Sequence, residues 1–157
     1  MSAFAERTGL EPSGPFNLLG EGLQIVNGKI RLRPEQRRFR KEALELYGRR
    51  CAVCELACEE ALDAAHLCPT GKTHLCPTGK KGSYDVRNGI VLCASPHRLF
   101  DHGLFVIVPD KLTVELHPKV VSHAHIGITQ LSLIHLLATP HPTALQWRYD
   151  DWQKRYS

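Results

Sequence analysis

"NGIVLCASPHRLFDHGLFVI", residues 88–107, changes its periodicity halfway along. Gly89 to Cys93 is an unbroken apolar run of strand length, entered through the polar Asn88. Ser95-Pro96 then reads as a helix opening, with the serine as N-cap and the proline at the first helical position, and Gly103 reads as the stop. Within that helix His97 and Asp101 stand four residues apart. They share one face and can share a cation. Beyond it, Leu104 to Val108 and Leu112 to Leu116 flank Pro109-Asp110-Lys111, which predicts a hairpin.

Upstream, Ala61 to Leu67 reads as a short strand with His66 near its end. The heptapeptide HLCPTGK at 66–72 returns at 74–80, so His66 and His74 are rival copies in a turn-like, polar stretch. Cys51 to Cys58 forms a knuckle. Before it, Pro34 to Tyr47 is helical: proline suits its first turn, Gly48 its end, and Phe39, Ala43, Leu44, Leu46 and Tyr47 an inward stripe. Residues 117–137 are apolar without clean periodicity. From Pro142 a last helix carries Leu145, Tyr149, Trp152 and Tyr156 on one side. This order of helix, strand, loop, strand, helix, hairpin and helix predicts an α+β fold. Residues 1–30 are expected to form an N-terminal arm, and residues 31–157 one domain.

The 157 residues suit a single core, and an apolar fraction of 43% with 23% charged residues is ordinary for a globule. No apolar run is long enough to span a bilayer, and the first residues lack the apolar core of a signal peptide. A cytoplasmic location with no membrane partner is the expectation. The net charge of +4 is unevenly placed: residues 29–50 hold nine basic side chains against three acidic ones. Such a cluster is the footprint of a phosphate-backbone binder, and Arg37, Arg38, Arg40 and Lys41 are its candidates. All six cysteines lie between residues 51 and 93. In a reducing compartment Cys-x2-Cys reads as a metal site before a disulfide.

CAVCE (51–55), LDAAHLCP (62–69), NGIVLC (88–93) and HRLFDHGLFVI (97–107) together resemble the HNH endonucleases, the ββα-metal class. The tail TPHPTALQWRYDDW (139–152) extends the resemblance, which covers residues 31–157. It implies a ββα-metal core with a preceding basic helix, a following β-hairpin and a C-terminal helix. The interval from Cys51 to His66, fifteen residues, is the one usual in such proteins. His66 to Asn88 is eight residues too long, the length of one repeat, while His74 to Asn88 is not. His66 therefore keeps strand and knuckle and takes the role of base, and the second copy lengthens a loop at little entropic cost.

The resemblance implies a metal-dependent endonuclease hydrolysing phosphodiester bonds in double-stranded DNA. His66 would be general base, Asn88 would brace the loop behind it, and His97 completes the catalytic set. His97 and Asp101 would hold a divalent ion, Mg²⁺ or Mn²⁺. Many HNH enzymes have a third ligand just before the base, where this chain has Ala65; Asp63, on the same strand face as Ala65, is the candidate substitute. Arg98, Lys72 and Lys80 are further phosphate contacts. A structural Zn²⁺ would use Cys51, Cys54 and Cys93, with Cys58 as fourth ligand because Pro96 stands at the usual position. Related sequences are often restriction or phage nucleases, and a homodimer or a separate specificity partner is open. Two alternatives remain: an HNH scaffold that binds nucleic acid without cleaving it, and a zinc-stabilised interaction protein.

Overall fold

The computed structural model of the chain describes residues 34–69 and 83–156. The expected arm (1–30), Lys72, Lys80 and the second repeat's His74 and Cys76 lie outside the described residues. Within them run α1 (Pro34–Tyr47), β1 (Leu62–His66), β2 (Gly89–Cys93), α2 (Ala94–Asp101), β3 (Phe105–Val108), β4 (Thr113–Leu116) and α3 (Pro142–Tyr156). Short 3-10 turns at Glu59–Ala61, Val86–Asn88 and Ala124–Ile126 join them.

α1 begins on Pro34, whose missing N–H would be unsatisfied there anyway, and stops at Gly48, where φ is +96°. Phe39, Ala43, Leu44 and Tyr47 form its buried face. β1 and β2 pair antiparallel, from Leu62 opposite Cys93 to His66 opposite Gly89. β2 is buried throughout. Both α1 and α2 pack on this strand pair, so the sheet is covered on its two sides and β2 needs no polar face. This mixed helix and antiparallel strand arrangement, with its ββα centre, hairpin and C-terminal helix, is the expected α+β fold.

One cap differs from expectation. α2 starts at Ala94 with Cys93 as N-cap, and Ser95 lies inside the first turn. Pro96 fits there because the first four helical N–H groups have no intrahelical partner in any case. The other end matches the pattern read from Gly103. Gly103 (φ +68°) donates to Phe100 O and Leu104 to Leu99 O, the paired bonds of a Schellman cap.

α3 locks that end of α2. Arg148, buried, donates to Phe100 O at 2.7 Å and lies 4.2 Å over the Phe100 ring, while Trp152 Nε1 donates to Gly103 O at 2.8 Å. β3 and β4 make the hairpin, from Phe105 opposite Leu116 to Val108 opposite Thr113. The stretch after it is irregular but tethered: Thr129 and Gln130 both donate to Val53 O, and Ile128 and Leu133 are buried. Among the described residues no helix is long and apolar enough to cross a membrane.

Candidate active site

α2 directs one histidine at two carboxylates. His97 Nδ1 lies 3.3 Å from Asp63 Oδ2 on β1, and Nε2 lies 3.5 Å from Asp101 Oδ2 one turn along α2. Asp63 holds still by accepting the Ala64 N–H at 2.8 Å. The hydrogen bond to Asp63 outweighs burial and holds the His97 pKa above its ordinary value. The same bond holds the Asp63 carboxyl below the usual carboxylate range. These groups line an open cleft of about 750 Å³ together with Ser95, Arg98 and His102.

The donor set fits a hard divalent cation, in a way that corrects one expectation. Asp63 is not placed as a third ligand beside His97 and Asp101. It sits on the opposite ring nitrogen, and among the described residues these three donors do not converge to within 4.8 Å of one another. An imidazole that gives its Nδ1 hydrogen to a carboxylate leaves the Nε2 lone pair for a metal. Nε2 and the Asp101 carboxylate could then offer two donors, with Asp63 holding the Nδ1 side.

His66 is the last residue of β1. Period-two alternation puts it on the other face of the strand from Asp63, and it is absent from the cleft lining. Its ring stacks on Phe39, with centroids 4.0 Å apart and planes 5° from parallel, and meets Tyr84 edge-on at 5.2 Å. Burial lowers its pKa, Asp63 and Asp101 raise it, and His97 lowers it again; the sum is a depressed value. The three charged groups across the strand therefore all act on His66. Nε2 is buried and meets no hydrogen-bond partner among the described residues.

Asn88 closes the base of the long loop. Its Oδ1 accepts Cys68 N–H at 2.9 Å, and its Nδ2 donates to Cys68 O and Ser83 O, both at 2.9 Å. The two strands of the loop are thereby tied at the point where it leaves β1. Neighbouring Gly89 leaves room for Phe39: a Cβ there would lie 2.5 Å from Phe39 Cζ.

Cys51, Cys54 and Cys93 bring their thiols within 4.8 Å of one another, Cys54 Sγ and Cys93 Sγ to 3.6 Å. Tetrahedral zinc–thiolate bonds imply sulfur separations of about 3.8 Å. Burial, aided by the neighbouring thiols, pushes Cys93 up to about 12 and Cys51 in the same direction. Cys58 does not join them; it is exposed and its thiol meets Glu60 Oε2 at 3.2 Å. Among the described residues, then, three thiols and not four converge.

Among the basic candidates, Arg40 is a correction. Its guanidinium donates to Leu62 O at 2.9 Å and Glu59 O at 2.7 Å, so the half-exposed side chain clamps the entry to β1. Arg38 pairs with Glu42 at 3.6 Å. Arg37, Lys41 and Arg98 are exposed. The sequence reading missed Phe39 and Tyr84 as supports of His66, and Arg148 as the lock on α2. Arg148 does carry a signal, lying with Leu145 and Trp152 at helical spacing on the buried stripe of α3.

Residues 51–108 match the family model of HNH endonucleases. No curated protein matches the chain. Among solved structures it is similar to a modification dependent TagI restriction endonuclease, at 24% identity over 72% of this chain and 36% of that one, with a TM-score of 0.49. The chain thus spans well under half of that protein's length. The segment similar to that family runs from the cysteine knuckle through β1, β2 and α2 to the end of β3.

Proposed function

We propose that the chain hydrolyses phosphodiester bonds in DNA with one divalent ion, Mg²⁺ or Mn²⁺, held by His97 and Asp101. The observation that carries this reading is the His97 ring, fixed at Nδ1 by Asp63 and standing beside Asp101 at Nε2. The ion, when bound, supplies Lewis-acid stabilisation to the scissile phosphate and the departing oxygen. His66, kept neutral by burial, takes the proton of the attacking water at Nε2, which meets no hydrogen-bond partner among the described residues. Asn88 holds the loop that positions it. Arg37, Lys41 and Arg98 contact phosphates, which favours grip over base reading. The three-thiol cluster is assigned to a structural zinc ion.

A supercoiled-plasmid nicking assay across divalent ions tests this. Wild type nicks with Mg²⁺ or Mn²⁺, and His97→Ala does not. At saturating metal the rate falls on the acid side with a midpoint below 6.5, because His66 must be unprotonated and its pKa is lowered. His66→Ala loses about 10²–10⁴-fold and with it the acid limb. Undiminished cleavage by His66→Ala would refute the base. A second reading has its own support: Ala65 cannot ligate, Asp63 is taken by Nδ1, and His66 stands outside the cleft lining. DNA binding by wild type without cleavage under any ion would favour this non-catalytic module.

A further inference from the structure

The cleft at His97 does not stop at α2. Ser95, Arg98 and His102 form a wall common to it and to a second cleft of about 700 Å³. Lys119 and His125, from the irregular stretch after β4, line the far side of that second cleft. The two clefts differ in sign. The first contains the carboxylates of Glu60, Asp63 and Asp101. The second, among the described residues, contains no carboxylate, and its titratable groups are Arg98, His102, Lys119 and His125.

Arg98 and Lys119 are not neutralised elsewhere among the described residues. Arg38, Arg49, Arg50, Arg87 and Arg155 each have a carboxylate within 4 Å, whereas Arg98 and Lys119 have none among the described residues. His102 is fixed in place: its Nδ1 lies 2.8 Å from Arg98 O, which can only accept, so Nδ1 bears the hydrogen. Gly127 leaves the cleft open, since a Cβ there would meet nothing within 4 Å. A carboxylate-lined half that suits a cation and a basic half that suits an anion thus share one wall.

A polynucleotide strand presents that sequence of demands. Its scissile phosphate needs the cation, and the next phosphate along needs donors and positive charge. We infer that the second cleft, through Lys119, His125, His102 and Arg98, binds the phosphate adjacent to the scissile one on the same DNA strand. The inference rests on the nuclease reading for what occupies the first cleft.

The test is equilibrium binding of a short DNA duplex without divalent ions, over a range of salt, for wild type and Lys119→Ala/His125→Ala. Both residues are exposed, and a thermal melt confirms that the variant folds. Losing one phosphate contact lowers the slope of log K against log salt by about 1 and the low-salt affinity about tenfold. Lys119→Arg keeps both. An unchanged slope and affinity in the double variant overturns the inference, even if inorganic phosphate binds the wild type, because the cleft would then serve a free anion. Wild type without DNA affinity at low salt overturns it too. Plasmid nicking separates the two claims. A wild type that never nicks refutes the nuclease while a reduced slope still upholds the cleft. A wild type that nicks beside an unchanged slope refutes the cleft alone.

Discussion

Gly89→Ala tests how His66 is held without touching it. Gly89 is the cross-strand partner of His66, and its backbone (φ −135°, ψ 167°) is extended, so alanine meets no backbone strain. The difficulty is contact. The new Cβ lies 2.5 Å from Phe39 Cζ and 3.2 and 3.3 Å from the two Cε atoms. Carbon atoms rest near 3.5–4.0 Å, so the ring must withdraw by about 1 Å. Phe39 is fully buried, with His66 stacked on it and Tyr84 edge-on. Overpacking of this kind costs about 1–3 kcal/mol, and the stiffer alanine chain offsets about 0.4–1, leaving a loss of about 1–2. A shift of His66 on the order of 1 Å would lower the nicking rate about 10²-fold. Urea unfolding and plasmid nicking read the two effects. Adding Phe39→Leu relieves the clash, so the double variant recovers about 1 kcal/mol against the sum of the singles, but not the rate, because the stacking surface is gone. Stability within 0.5 kcal/mol of wild type and a rate within twofold for Gly89→Ala would refute the claim that the aromatic stack positions His66.

Three further outcomes follow from the same geometry. Asn88→Asp, nearly isosteric, keeps the acceptor for Cys68 N–H but turns a donor into an acceptor against Cys68 O and Ser83 O; it should cost about 2–4 kcal/mol by urea unfolding. The Asp63–His97 pair stabilises the metal-free protein in a defined pH window. The raised His97 pKa gives a contribution fully present below 6.5 and lost as pH rises through the raised value, and the lowered Asp63 pKa one fully present above 3.8 and lost as pH falls through the lowered value. Asp63→Asn therefore costs more stability at pH 5 than at pH 9, read by unfolding in a chelator. Cobalt(II) titration should give a thiolate charge-transfer band that Cys93→Ser removes and Cys58→Ser leaves intact, and chelation should lower the melting temperature of the zinc-loaded wild type.

What the sequence made legible was the part governed by period and punctuation. Pro34 and Gly48 bracket α1, the run from Gly89 to Cys93 is β2, and Gly103 closes α2, because each depends on local backbone chemistry. The choice of His66 over His74 for the strand end rested on spacing, and β1 does end at His66. Illegible were the contacts made across the fold. Nothing local tells Arg40 to clamp carbonyls at residues 59 and 62, or Asp63 to take the far nitrogen of His97. Cys93 displaced Ser95 as N-cap because β2 runs straight into α2, leaving no room for a connecting residue. Lys119 and His125 escaped because residues 117–137 have no periodicity to read, and that stretch is placed by long-range hydrogen bonds to Leu104, Val53 and Leu112.

The ββα arrangement gives two imidazoles opposite electrostatic settings across one strand pair. His66 lies on the α1 side against Phe39 and Tyr84, where burial disfavours its cation. His97 lies on the α2 side between carboxylates, where its cation, or a metal in place of the proton, is favoured. Alternation along β1 produces the split, since Asp63 and His66 three residues apart must face opposite ways. Groups whose surroundings drive their pKa values apart can take different parts in one reaction. Here the separation comes from an aromatic stack on one side and two carboxylates on the other. Exchanging the two surroundings, as in Phe39→Asp with Asp63→Leu, would favour the His66 cation and disfavour that of His97, leaving the proposed base without a lone pair and the proposed metal ligand without its orienting partner.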